Sequence, residues 1–303
     1  MRVNFSINSE IRGKNFSNWL NLLKNLQDNT ILFLLSNDNE IFQEVNLKTH
    51  VKLVPIYSVL QNTSESSKNH EISQIDQSGN IIPSSFCPNN PELEHIISAD
   101  FESLSESSHI TGIQLENLEM PLKLPNLGCF CPRCHALAEK RGLELHKISP
   151  LIIKNANNGL NLHWIQKHFP DWLKFRKDSV TNLAGRLMVA IRKIDPEIFL
   201  GLNVPYAHNP EFLGLDYFFL ALFLDMVNFV VNGSDKGKKI LKQIRSVTKT
   251  FLGDIKVFLQ MKVTKEFNSY GISKLIKRTQ RYSFDGLIFE VSTFDDMKQA
   301  VEM

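Results

Sequence analysis

Residues 170–206 read PDWLKFRKDSVTNLAGRLMVAIRKIDPEIFLGLNVPY, a long amphipathic stretch that stops abruptly and gives way to a short apolar one. Leu173, Val180, Leu183, Leu187 and Ile191 recur at spacings of three, four and seven, which is the period of one helix face. Asp195-Pro196 ends that helix, because a proline drives the residue before it out of helical geometry. Ile198–Tyr206 then reads as a strand whose alternate residues Leu200, Leu202 and Val204 share one side. A helix that hands over to a buried strand is half of a βαβ unit and predicts a parallel sheet.

Outward from this unit, seven further apolar segments stand out: Val3–Ile7, Ile31–Leu35, Val51–Tyr57, Ile110–Leu118, Met226–Val231, Lys256–Met261 and Phe284–Val291. Most are followed by helix-compatible sequence. Asn18–Gln27 and Ser273–Arg281 carry the spacing of outer-ring helices, and Asp254 and Asp285 stand where a helix passes into strands seven and eight. Eight strands alternating with helices in 303 residues predict an α/β fold, a (β/α)8 TIM barrel over residues 1–303 as one domain. A seven-stranded doubly wound sheet is the rival arrangement. Two long segments, 60–91 and 120–161, interrupt the rhythm after the third and fourth strands. Loops after strands lie on the C-terminal face of a barrel, where function is built. The first opens with QNTSESSKNHE (61–71), which has too little apolar content to pack.

Composition removes several functions. Lys+Arg number 34 against 32 Asp+Glu, so the charge offers no footprint for nucleic acid. Lys236, Lys238, Lys239, Lys242 and Arg245 cluster at the spacing of a wet helix face. No stretch has the ~18 uncharged apolar residues of a membrane helix; the longest candidate, Tyr217–Val231, is broken by Asp225. MRVNFSIN at the start alternates like a strand and lacks a secretory pattern, so a cytoplasmic protein is expected. Oligomeric state leaves no mark in the sequence.

All four cysteines fall in the two long segments: Cys87 in SSFCPNNPE, and Cys129, Cys131 and Cys134 in GCFCPRCHALAEKRG. C-x-C-x-x-C on a proline-containing turn puts three thiolates on one side of a loop, and a fourth closes a tetrahedron suited to structural zinc. His135 is a possible substitute ligand, although its place directly after Cys134 suits the start of a helix. Disulfides are the alternative, disfavoured by the closeness of Cys129 and Cys131 and by the missing signal peptide. Four thiolates leave no coordination position for a reactive water, so such a metal ties the two segments together and does no chemistry.

These residues also resemble known families. CFCPRC (129–134) after a strand, with a single upstream cysteine, is similar to the zinc cluster of glycoside hydrolase family 42 β-galactosidases. FCPNNPE (86–92), GIQLENLEMP (112–121), CFCPRC, WLKFR (172–176) and DPEIFLGLNVP (195–205) together resemble a group of uncharacterised barrel proteins related to glycoside hydrolases, over roughly residues 80–210. The resemblance implies a barrel, a structural zinc ion and a carbohydrate ligand. This chain departs from it at informative places. The group's Asp at the end of strand four is Glu116 and its Arg is Glu119, and the Asn-Glu pair of the β-galactosidases appears reversed as Glu116-Asn117. Strand seven, KVFLQMK, offers Gln260 and Lys262 where those enzymes carry a nucleophilic Glu.

Strand alternation predicts what lines the barrel. Gln114 and Glu116 face inward from strand four, Asn203 from strand five, Asn228 from strand six, Gln260 and Lys262 from strand seven, and Glu290 from strand eight, with Asn4, Ser6 and Asn8 from strand one. Amides and carboxylates suit a polyhydroxylated ligand, since each hydroxyl both donates and accepts. Tyr206, Trp172, Trp164 and Tyr57 are candidates for stacking on a sugar, and His208 stands just past strand five. Glu116 and Glu290, with Glu119 as substitute partner, form a candidate acid/base pair for glycoside cleavage. Three alternatives remain beside it: a Glu116–Lys262 salt bridge, a carbohydrate-binding pseudo-glycosidase, and a lyase using Lys262 through a Schiff base.

Overall fold

The computed structural model describes residues 2–8, 16–24, 26, 30–35, 44–45, 48–49, 51–61, 70–107, 110–120, 127–157, 161–205, 210–231, 238–249, 251, 254–262, 277 and 279–291. Its strands are β1 (Arg2–Asn8), β2 (Ile31–Leu35), β3 (Lys52–Ser58), β4 (Ser73–Ile75), β5 (Ile81–Phe86), β6 (Gly112–Glu116), β7 (Phe199–Pro205), β8 (Met226–Val231), β9 (Lys256–Lys262) and β10 (Gly286–Val291). Eight of them close into one barrel in the order β1-β10-β9-β8-β7-β6-β3-β2. Every barrel pairing is parallel. Pairing of Arg2 with Gly286 seals the first strand to the last, which excludes the open doubly wound sheet. The eight strands read from the sequence are the eight of the barrel.

Helices separate the strands as the periodicity requires. Pro170–Ile194 is helical throughout, buries Leu173, Val180, Leu183, Leu187 and Ile191, and stops at Asp195 in extended conformation. Phe16–Lys24 buries Trp19, Leu20 and Leu23. In Lys238–Thr248 the buried Leu241 and Ile244 alternate with exposed Lys242, as expected for the basic cluster. The helix expected at Ser273–Arg281 falls largely outside the described residues. No described helix is long and apolar enough to cross a membrane.

Between β3 and β6 the chain folds into structure of its own. β4 and β5 pair antiparallel, and the helix Pro91–Ser107 follows them. After β6 come helices Pro132–Glu139, Leu145–Asn157 and Leu162–His168. Residues 62–69 of the polar stretch lie outside the described residues.

The barrel interior is layered. Phe33, Val54, Ile56, Met226, Phe258 and Ile288 form a buried apolar cluster separate from the main core. These are alternate residues of β2, β3, β8, β9 and β10, which places them inside the ring of strands and not under the helices. At the same end of the barrel, aspartates close the strand starts. The Asp225 carboxylate accepts from Leu200 N at 2.7 Å and that of Asp285 from Val257 N at 2.8 Å, satisfying donors at the second residues of the neighbouring strands. Asp225 also holds Arg192 at 2.9 Å.

Candidate active site and cysteine cluster

Above the apolar layer the inward residues turn polar. Gln114 and Asn228 are fully buried, and Asn203 and Gln260 are each 5% exposed. Gln114 Nε2 and Asn228 Nδ2 both donate to Asn203 Oδ1, at 3.1 and 3.0 Å. Asn203 Nδ2 in turn donates to Glu116 Oε2 at 3.4 Å. On the other side, Gln260 Nε2 donates to Glu290 Oε2 at 3.3 Å. Gly201 makes this layer possible: a Cβ there would sit 1.9 Å from Gln114 Oε1, so only glycine lets Gln114 lie across β7.

Glu116 ends β6 and Glu290 lies near the end of β10. Four steps separate those strands in the closed order, so the two carboxylates come from opposite sides of the barrel. Burial pushes the Glu116 carboxyl above its ordinary range, Asn203 works against that by stabilising the anion, and the charges of Glu290 and Glu119 push it up again. The Glu119 carboxyl is also raised by burial, opposed by its own backbone N–H. Among the described residues no lysine or arginine forms an ion pair with Glu116. Lys262 pairs in register with Glu290, but its side chain, like those of Asn4 and Asn8, lies outside the described residues. Tyr206 and His208 lie outside them entirely.

One feature of the mouth escaped the sequence reading. Asn117 takes φ of 52°, a left-handed conformation that asparagine tolerates better than most residues. The turn lets Asn117 Nδ2 reach Ser58 Oγ at 2.9 Å and Glu116 Oε1 at 3.3 Å. Both oxygens of Glu116 therefore accept from an amide. The signal was present in the reversed Glu116-Asn117 order, which puts an asparagine where the strand must turn.

The aromatic candidates sit elsewhere. Trp172 is 2% exposed on the buried face of Pro170–Ile194, with its ring 6.3 Å from Phe130 and 5.2 Å from the Arg176 guanidinium, beside the cysteine loop and not with the Glu116 group. Tyr57 alternates outward from β3 and donates to Asp100 Oδ2 at 2.5 Å; burial, then that bond, push its phenol up. Trp164 meets the tilted ring of His168 at 4.8 Å and the edge-on ring of Phe169 at 5.3 Å, about one helical turn further along the chain.

The four cysteines, distant in sequence, converge. Their sulfurs all lie within 4.8 Å of one another, and all four are buried. None is in a disulfide. Cys87 Sγ stands 3.6 Å from both Cys131 Sγ and Cys134 Sγ. A tetrahedron with ~2.3 Å metal–sulfur bonds has edges of about 3.8 Å, so the sulfurs fit a four-coordinate metal ion. Local sequence builds the cluster. Gly128 takes φ of 132°, Cys131 caps the helix that Pro132 begins, and Phe130 N bonds Ile75 O at 2.7 Å on β4. His135 lies inside that helix, its N–H bonded to Cys131 O at 3.0 Å. The thiols contend for charge: hydrogen bonds from Cys129, Cys134 and Cys87 hold Cys131 low, while those to Cys129, Cys131 and Cys134 hold Cys87 high. A cation would take the place of the shared protons. Asn89, which the sequence did not single out, donates to Cys134 Sγ at 3.3 Å and to Ser179 Oγ at 3.0 Å, joining the cluster to the long helix.

No protein-family profile and no curated protein matches the chain. Solved structures do. The glycoside hydrolase domain of PgaB (BpsB) from Bordetella bronchiseptica superposes with a TM-score of 0.73 at 12% identity, covering 100% of this chain and 97% of that one. A β-galactosidase from the haloarchaeon Halorubrum lacusprofundi gives 0.65 at 13% identity, over 95% of this chain and 52% of that one. A catalytic mutant of Gan42B, a family 42 β-galactosidase from G. stearothermophilus, gives 0.65 at 12% identity over 95% and 50% of the two chains. The chain thus spans about half the length of these β-galactosidases. At such identities the likeness is one of architecture: the chain has a glycoside-hydrolase-like (β/α)8 barrel.

Proposed function

We propose that the protein is a glycoside hydrolase acting on a carbohydrate, with Glu116 as general acid and Glu290 as its partner. The observation that carries this reading is the buried Glu116 carboxyl, raised by its surroundings, facing the barrel mouth from the side opposite Glu290. A carboxyl raised above its ordinary range holds its proton to higher pH, which is the direction a general acid needs. Glu116 delivers that proton to the glycosidic oxygen as the bond from oxygen to the anomeric carbon breaks. Glu290 takes a proton from the water that forms the new bond to that carbon, so one water is added and the sugar leaves with a free anomeric hydroxyl. Glu119 is a further carboxyl, on the loop that follows Glu116. Gln114, Asn203, Asn228 and Gln260 line the floor beneath the ligand, and Lys262 belongs to the same rim.

We further propose one zinc ion on Cys87, Cys129, Cys131 and Cys134. Bound there it supplies a cross-link between the two segments and no reactive water. Four unpaired thiols suit the reducing cytoplasm.

A second reading has its own support. β9 presents Gln260 where the resemblance puts a carboxylate, which favours a carbohydrate-binding protein without turnover. A panel of aryl glycosides and oligosaccharides distinguishes the two. Hydrolysis should fall by about 10²–10⁴-fold in Glu116→Gln and in Glu290→Gln. Sugar binding with no hydrolysis by the unmodified protein would favour the second reading. Full turnover in the double variant would remove the acid/base pair.

A further inference from the structure

The amides below Glu116 were read from the sequence as sugar ligands, but their hydrogen bonds run inward. Asn203 Oδ1 receives two N–H donors at 3.1 and 3.0 Å, from Gln114 on β6 and Asn228 on β8. With its oxygen so occupied, Asn203 has only Nδ2 left, and that group donates to Glu116 Oε2 at 3.4 Å. All three amides are at least nine-tenths buried, so water does not compete for them. Among the described residues the carbonyl oxygens of Gln114 and Asn228 have no hydrogen-bond partner. Each of these two side chains is thus engaged through its N–H and not its oxygen, an arrangement that leaves buried acceptors unpaired at a cost. Register supports the grouping: Gln114 lies opposite Gly201, and Asn203 opposite Asn228.

We infer that Gln114, Asn203 and Asn228 form a one-way amide relay that positions Glu116, with Gln114 and Asn228 locking Asn203 so that it can only donate to the carboxylate. This rests on the reading of Glu116 as the acid. A lone asparagine beside a protonated carboxyl can turn over and accept its O–H. Asn203 cannot do so by itself, because turning alone would bring its NH2 against the N–H groups of Gln114 and Asn228; all three amides would have to turn together. Asn117 Nδ2 occupies the other oxygen at 3.3 Å in the same sense. The proton of Glu116 must then sit on a lone pair that neither amide uses, facing the mouth. Gln114 and Asn228 are positioning residues: they touch Asn203 and not the reacting atoms. The charged groups that act on Glu116 from outside the relay are Glu290 on β10 and Glu119 on the following loop.

The test reads the carboxyl of Glu116 directly, by titrating ¹³C-carboxyl-labelled glutamate in the full chain, with Glu116→Gln to assign the signal. Asn203→Leu removes a hydrogen bond to the charged form and should raise the midpoint by about one pH unit. Asn228→Leu and Gln114→Met each remove a hydrogen bond to Asn203 and none to Glu116, and each should move Glu116 in the same direction by about half as much or more. Phe258→Leu, in the apolar layer beneath, should leave it in place. In the unmodified protein the Asn203 side-chain nitrogen signal should follow the Glu116 titration, a measurement open even where a variant does not fold. A Glu116 midpoint unmoved by both Asn228→Leu and Gln114→Met, or an Asn203 amide blind to it, would overturn the relay. None of these readouts uses turnover. A protein that hydrolyses no glycoside but shows the shifts has the relay without the enzyme, and active enzyme without the shifts has lost only the relay.

Discussion

At the residue scale, Glu116 is where burial, charge and hydrogen bonding meet, and pH should expose it. Its carboxyl is raised in the folded protein, so folding favours the protonated form. That contribution is fully present below the unfolded value of about 4.3 and is lost as pH rises through the folded midpoint. Glu116→Gln fixes a neutral group at the site. It should therefore melt higher than the unmodified protein at neutral pH, by on the order of a few degrees, with the gap closing towards pH 4. Melting curves across that range check the sign, and an equal or lower melting temperature at neutral pH would argue against the raised carboxyl. Alternation alone assigned Glu116, Glu290 and the amides to the barrel interior. What it left out is direction. Whether an amide serves a ligand or a neighbour depends on which of its two ends is occupied, and Trp172 depends likewise on which helix face is buried. Neither is a property of spacing.

At the element scale, the regular βα units were legible and the segments between them were not. Pro170–Ile194 announces itself through a strict apolar stripe and a proline stop. β4 and β5 are short, and β5 contains Pro83 and Ser84, the latter with φ of 56°, so alternation never has room to build up. Their turn is held by Asp76, whose Oδ1 accepts from Ser78 N at 2.8 Å and Asn80 N at 2.9 Å. Leu145–Asn157 carries Pro150 inside it, which reads as a break. Tertiary contact keeps it in place: Ser149 Oγ bonds Gln77 O at 2.8 Å. These elements lean on the cysteine cluster for definition. Cys87→Ser should reduce bound metal from about one ion per chain to none, and cost several kcal/mol, a fraction of the roughly 10–16 kcal/mol of such sites. Hydrogen exchange should quicken in residues 70–90 and 127–157 while β7–β10 stay protected. Loss of protection throughout the barrel strands as well would show that the cluster supports more than its own surroundings.

At the scale of the whole molecule, closure decides what the carboxylates can reach. Glu116 and Glu290 stand four strands apart in a ring of eight, the widest separation the ring allows, whereas the family 42 resemblance pairs strand four with strand seven. A wide pair leaves space for a water between carboxylate and sugar, at about 6.5–9.5 Å, where a covalent intermediate needs about 5–5.5 Å. Turnover should therefore invert the anomeric configuration, as ¹H NMR of the first-formed product would reveal; retention would require a nucleophile closer than Glu290. The count of strands was open to reading from the sequence, and so was the ring. The layering of apolar floor, amide shelf and acidic rim appears only once the register places β6 beside β7 and β10 beside β9.

The seam of that ring carries a consequence for how the protein is made. Residues 2–7 pair with residues 286–291, so a ribosome must deliver every other barrel strand before β1 finds its second neighbour. Until then the nascent barrel has two raw edges, one on β1 and one on whichever strand emerged last. Pairings between such distant residues form slowly, and exposed strand edges invite association with other chains. The barrel thus closes in a single late snap, and chaperone demand should concentrate in the interval just before it.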